Sequence, residues 1–266
     1  MTLLQIIVLA VIQGISEFLP ISSSGHLVLT PIIFGWQDQG LTLDVAVHLG
    51  TLGAVIWFLR AEIWKIILGV RGLLKGQLDD GARLAGYITI SSIPVFFGGV
   101  AIAAIAGNIL RQPQIIGWAF IIFGLALYAG DNLGRNTRSI SELKIKDAIL
   151  IGLFQTCALI PGASRAGTTI TMARILGYER REAARFSMLL AIPAITGAGA
   201  VISLEVINSN DEILPLHLLF AALVAFITAL LAMTLMMKWL LNQNFTPFVF
   251  YRVVVGVIIL VIYGNF

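Results

Sequence analysis

The sequence predicts an all-α integral membrane protein with six transmembrane helices and two re-entrant helical hairpins, arranged as an inverted-topology repeat. Three observations carry that expectation. Hydrophobic residues make up 58% of the chain and charged residues only 12%, roughly half the charged share of a soluble globular domain, and mean hydropathy is +0.95. Each half of the chain holds a pair of short apolar segments broken at proline and glycine. Lysine and arginine gather in alternate connections and are nearly absent from the others.

Residues 3–16 and 21–34 are apolar but only 14 long, interrupted by Pro20 and a Ser/Gly run. A span needs about 20 residues, so the pair forms the two half-helices of a first hairpin. Residues 43–60, 84–107 and 115–130 are long enough to cross. Between the first two of these, 61–75 is amphipathic, with Lys65, Arg71 and Lys75 spaced for a helix lying in the interface. The order then repeats: short segments 147–160 and 167–177 broken at Pro161-Gly162, then spans over 183–206, 216–241 and 248–265. The chain is thus a single membrane domain, 1–266, with repeat halves of approximately 1–130 and 143–266.

The repeat is visible in residues too. An offset of 142 lays Gln13 on Gln155, Gly25 on Gly167, and Phe34-Gly35-Trp36 on Leu176-Gly177-Tyr178, while Pro20 and Pro161 miss that register by one. Paired, interrupted apolar segments at corresponding places point to inverted repeats with a site at their interface. Orientation follows from the basic residues: segments 60–83, 131–147 and 174–185 hold thirteen of the 17, and connections 35–42, 108–114 and 207–215 hold only Arg111. The thirteen therefore belong in the cytoplasm. Three spans per half then invert the second half, bring the first hairpin in from outside and the second from the cytoplasm, and leave both termini outside. The apolar N-terminus carries no Lys or Arg before Arg60 and is expected to remain uncleaved. Cys157, the single cysteine, excludes an intramolecular disulfide and a clustered-thiolate metal site. The net charge of +3 is distributed as a topology signal, so no nucleic-acid partner is expected.

Inside this apolar frame, residues 13–26 place Gln13, Glu17, Ser22, Ser23, Ser24 and His26 where polar groups are costly. Such groups must face a wet cavity or each other. Gln13 and Glu17 are four apart and share one helix face. The serines follow Pro20, where a helix start is expected, so each could cap a helix or act on a substrate. His26 supplies a base or nucleophile two to four residues away, Gly25 permits close backbone approach, and buried amides at a helix start favour an anion. The second break offers Ser164, Arg165, Thr168 and Thr169. A guanidinium among small residues and hydroxyls suits phosphate, and its structural alternative is a salt bridge to Glu17. His48, in a predicted span, is the weakest candidate, since a bond to a neighbouring helix explains it equally well. His217, at a span end, reads as interfacial.

These residues resemble, along the whole chain, the undecaprenyl-diphosphate phosphatase family, also called bacitracin-resistance proteins. The family's Glu/Gln-x-x-x-Glu box, with a following proline and Ser-Ser-Ser/Thr-Gly-His run, stands here as Gln13 to Glu17, Pro20 and Ser22 to His26. Its Pro-Gly-x-Ser-Arg-Ser box stands as Pro161, Gly162, Ser164 and Arg165, with Ala166 in place of the last serine, which leaves Thr168 or Thr169 as the nearby hydroxyl. The resemblance implies removal of the terminal phosphate of undecaprenyl diphosphate on the outer side of a bacterial inner membrane, recycling the lipid carrier of peptidoglycan synthesis. It also implies a divalent cation, Mg2+ or Ca2+, held by Gln13 and Glu17 together with diphosphate oxygens and water. On that footing Ser23 is the expected nucleophile, with Ser24, water or His26 as alternatives, His26 is the base, and Arg165 and the metal stabilise the equatorial oxygens. Ser22, Ser24, Gly25, Ser164, Thr168 and Thr169 line the substrate. The partners are the polyprenyl diphosphate and membrane lipids, and a homodimer is compatible with the sequence. The competing class is a transporter or flippase for a phosphorylated lipid, which needs no nucleophile.

Overall fold

The computed structural model describes residues 1–105, 107–207 and 214–264, with side chains left out of the description at 100–108 and 201–207. Among the described residues there are eleven α-helices and no strand. Helices α1 (Leu3–Ser16) and α2 (Ser23–Phe34) form the first short pair, followed by α3 (Gly40–Phe58), α4 (Arg60–Leu73), α5 (Asp80–Ile105) and α6 (Pro113–Leu133). The second half runs α7 (Ile145–Gln155), α8 (Arg165–Ile175), α9 (Arg180–Ile207), α10 (Pro215–Trp239) and α11 (Thr246–Tyr263). Every expected segment has its helix, with boundaries moved by a few residues. The segment expected over 147–160 divides into α7 and a 3-10 turn, Thr156–Leu159. Position 106, most of the connection 207–215, and residue 265 at the end of the last expected span lie outside the described residues.

Among the described residues, five helices are long and apolar enough to cross a membrane: α3, α6, the first 21 residues of α9, α10 and α11. Helices α1 and α2, of 14 and 12 residues, are not, and neither are α7 and α8, of 11 each. That leaves α5, 26 residues long, as the expected span whose apolar character these five do not include. The apolar end of α5, residues 100–105, falls where side chains are not described; along the rest of it Thr89 and Ser92 bond to carbonyls of their own helix, and Ser91 donates to the Ala148 carbonyl of α7. Helix α4 exposes Trp64, Ile67 and Leu68 and buries only Gly69, as an interfacial helix would.

Helix α10 packs on α1 and α3, α11 on α6, α7 on α5, and α3 on α9. The largest core cluster gathers where α3, α8, α9 and α10 meet. Several arginines counted as topology signals also tie helix ends together. Arg174 is wholly buried, its Nε donating to Asp131 at 2.8 Å, and Arg180 donates to the same carboxylate at 2.8 Å. Arg138 donates to Asp147 at 2.6 Å, and the Tyr178 phenol donates to that carboxylate at 2.7 Å. Burial and that hydrogen bond push the Tyr178 phenol well above its ordinary value.

The two breaks have one local design. Ser22 and Ser164, 142 positions apart, both take positive φ, 75° and 73°, and each hydroxyl accepts the amide of the residue three ahead, Gly25 and Gly167. Each starts a helix. Gln13 and Gln155, at the same offset, are both fully buried, and each leaves its Oε1 without a partner.

Candidate active site

A cavity of about 300 Å³ lies where the two breaks face α3 and α9. Its polar lining is Glu17, Ser23, Ser24, Asp44, His48, Ser164 and Arg165. The rest of the lining is apolar, with Leu159, Ala194 and Ile195 among its residues.

Glu17 caps the end of α1 and is 8% exposed. Its Oε2 accepts from the Ser23 hydroxyl at 2.5 Å and from Gln13 Nε2 at 3.0 Å, and its Oε1 accepts from Arg165 Nη2 at 2.9 Å. His48 Nε2 stands 3.9 Å from Oε2. Arg165 opens α8, donates through Nη1 to the Ser187 carbonyl at 2.8 Å, and lies 5.8 Å over the Phe18 ring. Thus one carboxylate joins the hydroxyl of the first break to the guanidinium of the second. A serine hydroxyl on a carboxylate beside a cation is an arrangement for attack on a phosphoryl group.

The remaining expected residues divide. Ser24 and Ser164 line the cavity, and the Ser164 hydroxyl is occupied in capping α8. Ser22 caps α2 and does not reach the lining. A Cβ on Gly25 would fall 2.5 Å from Phe120 and 3.3 Å from the Gly162 Cα, so glycine is what lets the breaks touch. Thr168 and Thr169 spend their hydroxyls on the Arg165 carbonyl at 3.0 and 2.8 Å, and Thr169 also donates to Ser187 Oγ. Neither lines the cavity.

His26 is not brought to the cavity. Its Nδ1 meets the Ser22 carbonyl at 2.6 Å and its Nε2 meets the Tyr251 hydroxyl at 2.6 Å, with the two rings stacked 5.7 Å apart. A carbonyl only accepts, so Nδ1 carries the proton and Nε2 accepts from the phenol. His26 lies about 200° around the helix from Ser24, at 100° per residue, which takes it to another face. The acceptor beside Ser23 is Glu17.

Asp44 was not among the expected residues, and His48 was only the weakest candidate; both line the cavity. They sit four apart on α3 with the Gln13/Glu17 spacing, which is the signal that could have found them. His48 Nδ1 bonds the Asp44 carbonyl at 2.7 Å, and the Asp44 carboxylate accepts from Gln39 at 2.9 Å. Arg252, inside α11, was also missed. It is 0% exposed and, among the described residues, donates only to backbone carbonyls.

The donor set can be judged for a divalent ion. Among the described residues no group of three His, Cys, Asp or Glu is placed to hold a metal. Glu17 is engaged on both oxygens, but the buried Gln13 Oε1 beside it has no partner. Glu17 lines the cavity and Gln13 is fully buried behind it, so the pair offers one carboxylate and one amide oxygen and does not make a cage built from protein alone.

The family model described as bacitracin resistance protein BacA matches residues 6–258. The chain is 46% identical over 264 residues to an undecaprenyl-diphosphatase of Dinoroseobacter shibae, covering 98% of this chain and 99% of the relative. It is 47% identical over 263 residues to an undecaprenyl-diphosphatase of Roseobacter denitrificans, covering 98% of each. With undecaprenyl-diphosphatase 1 of Rhodospirillum rubrum it shares 46% identity over 268 residues, covering 98% of this chain and 95% of the relative.

Proposed function

The chain belongs to the family of bacitracin resistance protein BacA, and on that premise we infer that it is a multi-pass membrane phosphatase acting on a polyprenyl diphosphate. It cleaves undecaprenyl diphosphate to undecaprenyl phosphate and phosphate, as the names of its relatives state for them. The reaction returns the lipid carrier to peptidoglycan synthesis and gives the bacitracin resistance of the family name. The observation that carries this reading is the junction at Glu17, where Ser23 Oγ at 2.5 Å and Arg165 Nη2 at 2.9 Å meet on one carboxylate.

In the proposed mechanism Ser23 Oγ attacks the terminal phosphorus and Glu17 takes its proton. The bond from phosphorus to the bridging oxygen breaks, and its electron pair leaves with the lipid monophosphate. Water then attacks the phosphoserine, restoring the hydroxyl and releasing phosphate. Arg165 offsets charge on the equatorial oxygens, in a reaction governed by positioning and electrostatics. Ser24 stays beside the nucleophile as a substrate contact. His26 supports the serine run through the Ser22 carbonyl. Gln13 and Glu17 would hold a divalent cation, Mg2+ or Ca2+, which would supply positive charge to offset that of the phosphates.

The finer architecture belongs to the same proposal. Helix α5 is the sixth span, and α1–α2 and α7–α8 are re-entrant hairpins of an inverted repeat. The shared positive-φ serine caps and the matched Gln13 and Gln155 support that symmetry. On the family premise the protein lies in a bacterial inner membrane with its cavity opening to the periplasmic side, and the Lys/Arg distribution supports both termini lying outside. A lipid transporter of the same design needs no hydroxyl held on a carboxylate. Phosphate release from undecaprenyl diphosphate by detergent-solubilised protein, with no gradient, tests the activity. Its absence in an active-site-intact, monodisperse preparation would overturn it.

A further inference from the structure

Arg252 sits seven residues into α11, fully buried, and among the described residues it has no carboxylate partner. An arginine so placed in a membrane helix must satisfy its donors on protein groups or become very costly. Five carbonyls do so. Nη1 donates to Pro20 at 3.2 Å, Nη2 to Gly162 at 2.9 Å and Ala163 at 3.0 Å, and Nη2 and Nε reach Ala119 and Phe120 of α6 at 3.3 Å.

Three of these acceptors belong to the two breaks, where no helical amide takes them. Pro20 precedes Ser22 by two residues and Gly162 precedes Ser164 by two, so one guanidinium bonds the same carbonyl of each break through its two Nη atoms. The offset of 142 that pairs Ser22 with Ser164 also pairs Pro20 with Gly162, which accounts for the prolines missing that register by one. Immediately beyond each capping serine come Ser23 and Arg165, the two residues that meet on Glu17.

We propose that Arg252 is a positioning residue for phosphoryl transfer: its planar fork fastens the two breaks to each other and to α6, and so sets Ser23 against Arg165. The proposal rests on the phosphatase reading above. It does not require Arg252 to touch substrate. A lysine retains the charge but presents one nitrogen that cannot span both breaks. The lipid still enters and binds, while the reacting groups lose their alignment, and a misplacement on the order of 1 Å costs about a hundredfold in rate.

The experiment compares Arg252→Lys with wild type as full-length, detergent-solubilised protein turning over undecaprenyl diphosphate, with kcat counted per folded molecule from the monodisperse fraction. Wild-type turnover tests the activity first and separately. Arg252→Lys is expected to lower kcat about a hundredfold with KM within about threefold. A second variant, Gly167→Ala, leaves Arg252 in place but puts a Cβ 2.6 Å from its Nη1, displacing the guanidinium without changing charge. It is expected to lower kcat in the same way, and it decides the matter if the lysine variant does not fold. A merely structural arginine predicts lost folded protein with wild-type kcat in what remains. Wild-type kcat per folded molecule in both variants, or in Gly167→Ala alone where lysine fails to fold, would overturn the proposal.

Discussion

Replacing Arg165 with lysine separates a phosphate clamp from a structural ion pair. In the structure the guanidinium uses Nη2 on Glu17 at 2.9 Å and Nη1 on the Ser187 carbonyl at 2.8 Å, with its side chain 13% exposed at the cavity. Lysine keeps the charge within reach of Glu17 but gives up the second directed donor and the planar fork. If Arg165 stabilises the equatorial oxygens in the transition state, Arg165→Lys should lose about 10²–10³ in kcat, or roughly 3–4 kcal/mol. Its melting temperature should stay close to wild type, since the buried pair survives. Arg165→Ala should be worse on both counts, because Glu17 would be left as a buried uncompensated carboxylate at a cost of about 3–5 kcal/mol in stability. The assay is phosphate release and thermal melting on the same detergent-solubilised samples. Near-wild-type turnover by Arg165→Lys would refute the clamp and leave only an ion pair.

Three further outcomes follow from named contacts. Asp131→Asn removes the charge that Arg174 and Arg180 share, and the loss of a buried partner should cost about 3–5 kcal/mol, read by melting, with turnover per folded molecule unchanged. The Tyr178 phenol is raised from its ordinary value by burial and by its bond to Asp147, so the stability it provides is complete below about pH 10 and is lost as pH climbs toward the folded-state value. Tyr178→Phe should therefore flatten the alkaline arm of a stability-versus-pH curve, and an unchanged arm would contradict this. Chelation should stop phosphate release and Mg2+ or Ca2+ should restore it, with Gln13→Leu requiring about tenfold more ion; full turnover in chelator would remove the metal from the account.

The breaks between the short helices were readable because proline and glycine cannot continue a helix and serine prefers its start, so Pro20–Ser22 and Pro161–Ser164 announce themselves. Glu17, Ser23 and Arg165 followed from the cost of polar groups in an apolar run. The facing of His26 was not readable, because three residues on from Ser23 a helix keeps it within about 60° of that side chain, and what occupies its ring is Tyr251 of α11, 225 positions away. Asp44 and His48 were obscured by the apolar span around them, and which helix faces the cavity is decided by packing between elements far apart in sequence. Arg252 was hidden for a related reason. Its partners are backbone carbonyls, 89 to 232 positions away, which no side-chain pattern reports. Arg174 shows the converse: it counts among the basic residues read as topology signals, yet it is wholly buried on Asp131.

The central claim is that Ser23, held on Glu17 at 2.5 Å, is the nucleophile of a phosphoryl-transfer site shared by the two breaks. Phosphate release from undecaprenyl diphosphate by purified wild type, Ser23→Ala and Ser24→Ala tests it most directly. Wild type should release phosphate, Ser23→Ala should fall by about a thousandfold or more while remaining folded, and Ser24→Ala should keep most of the rate. Turnover by Ser23→Ala at the wild-type rate would contradict the account.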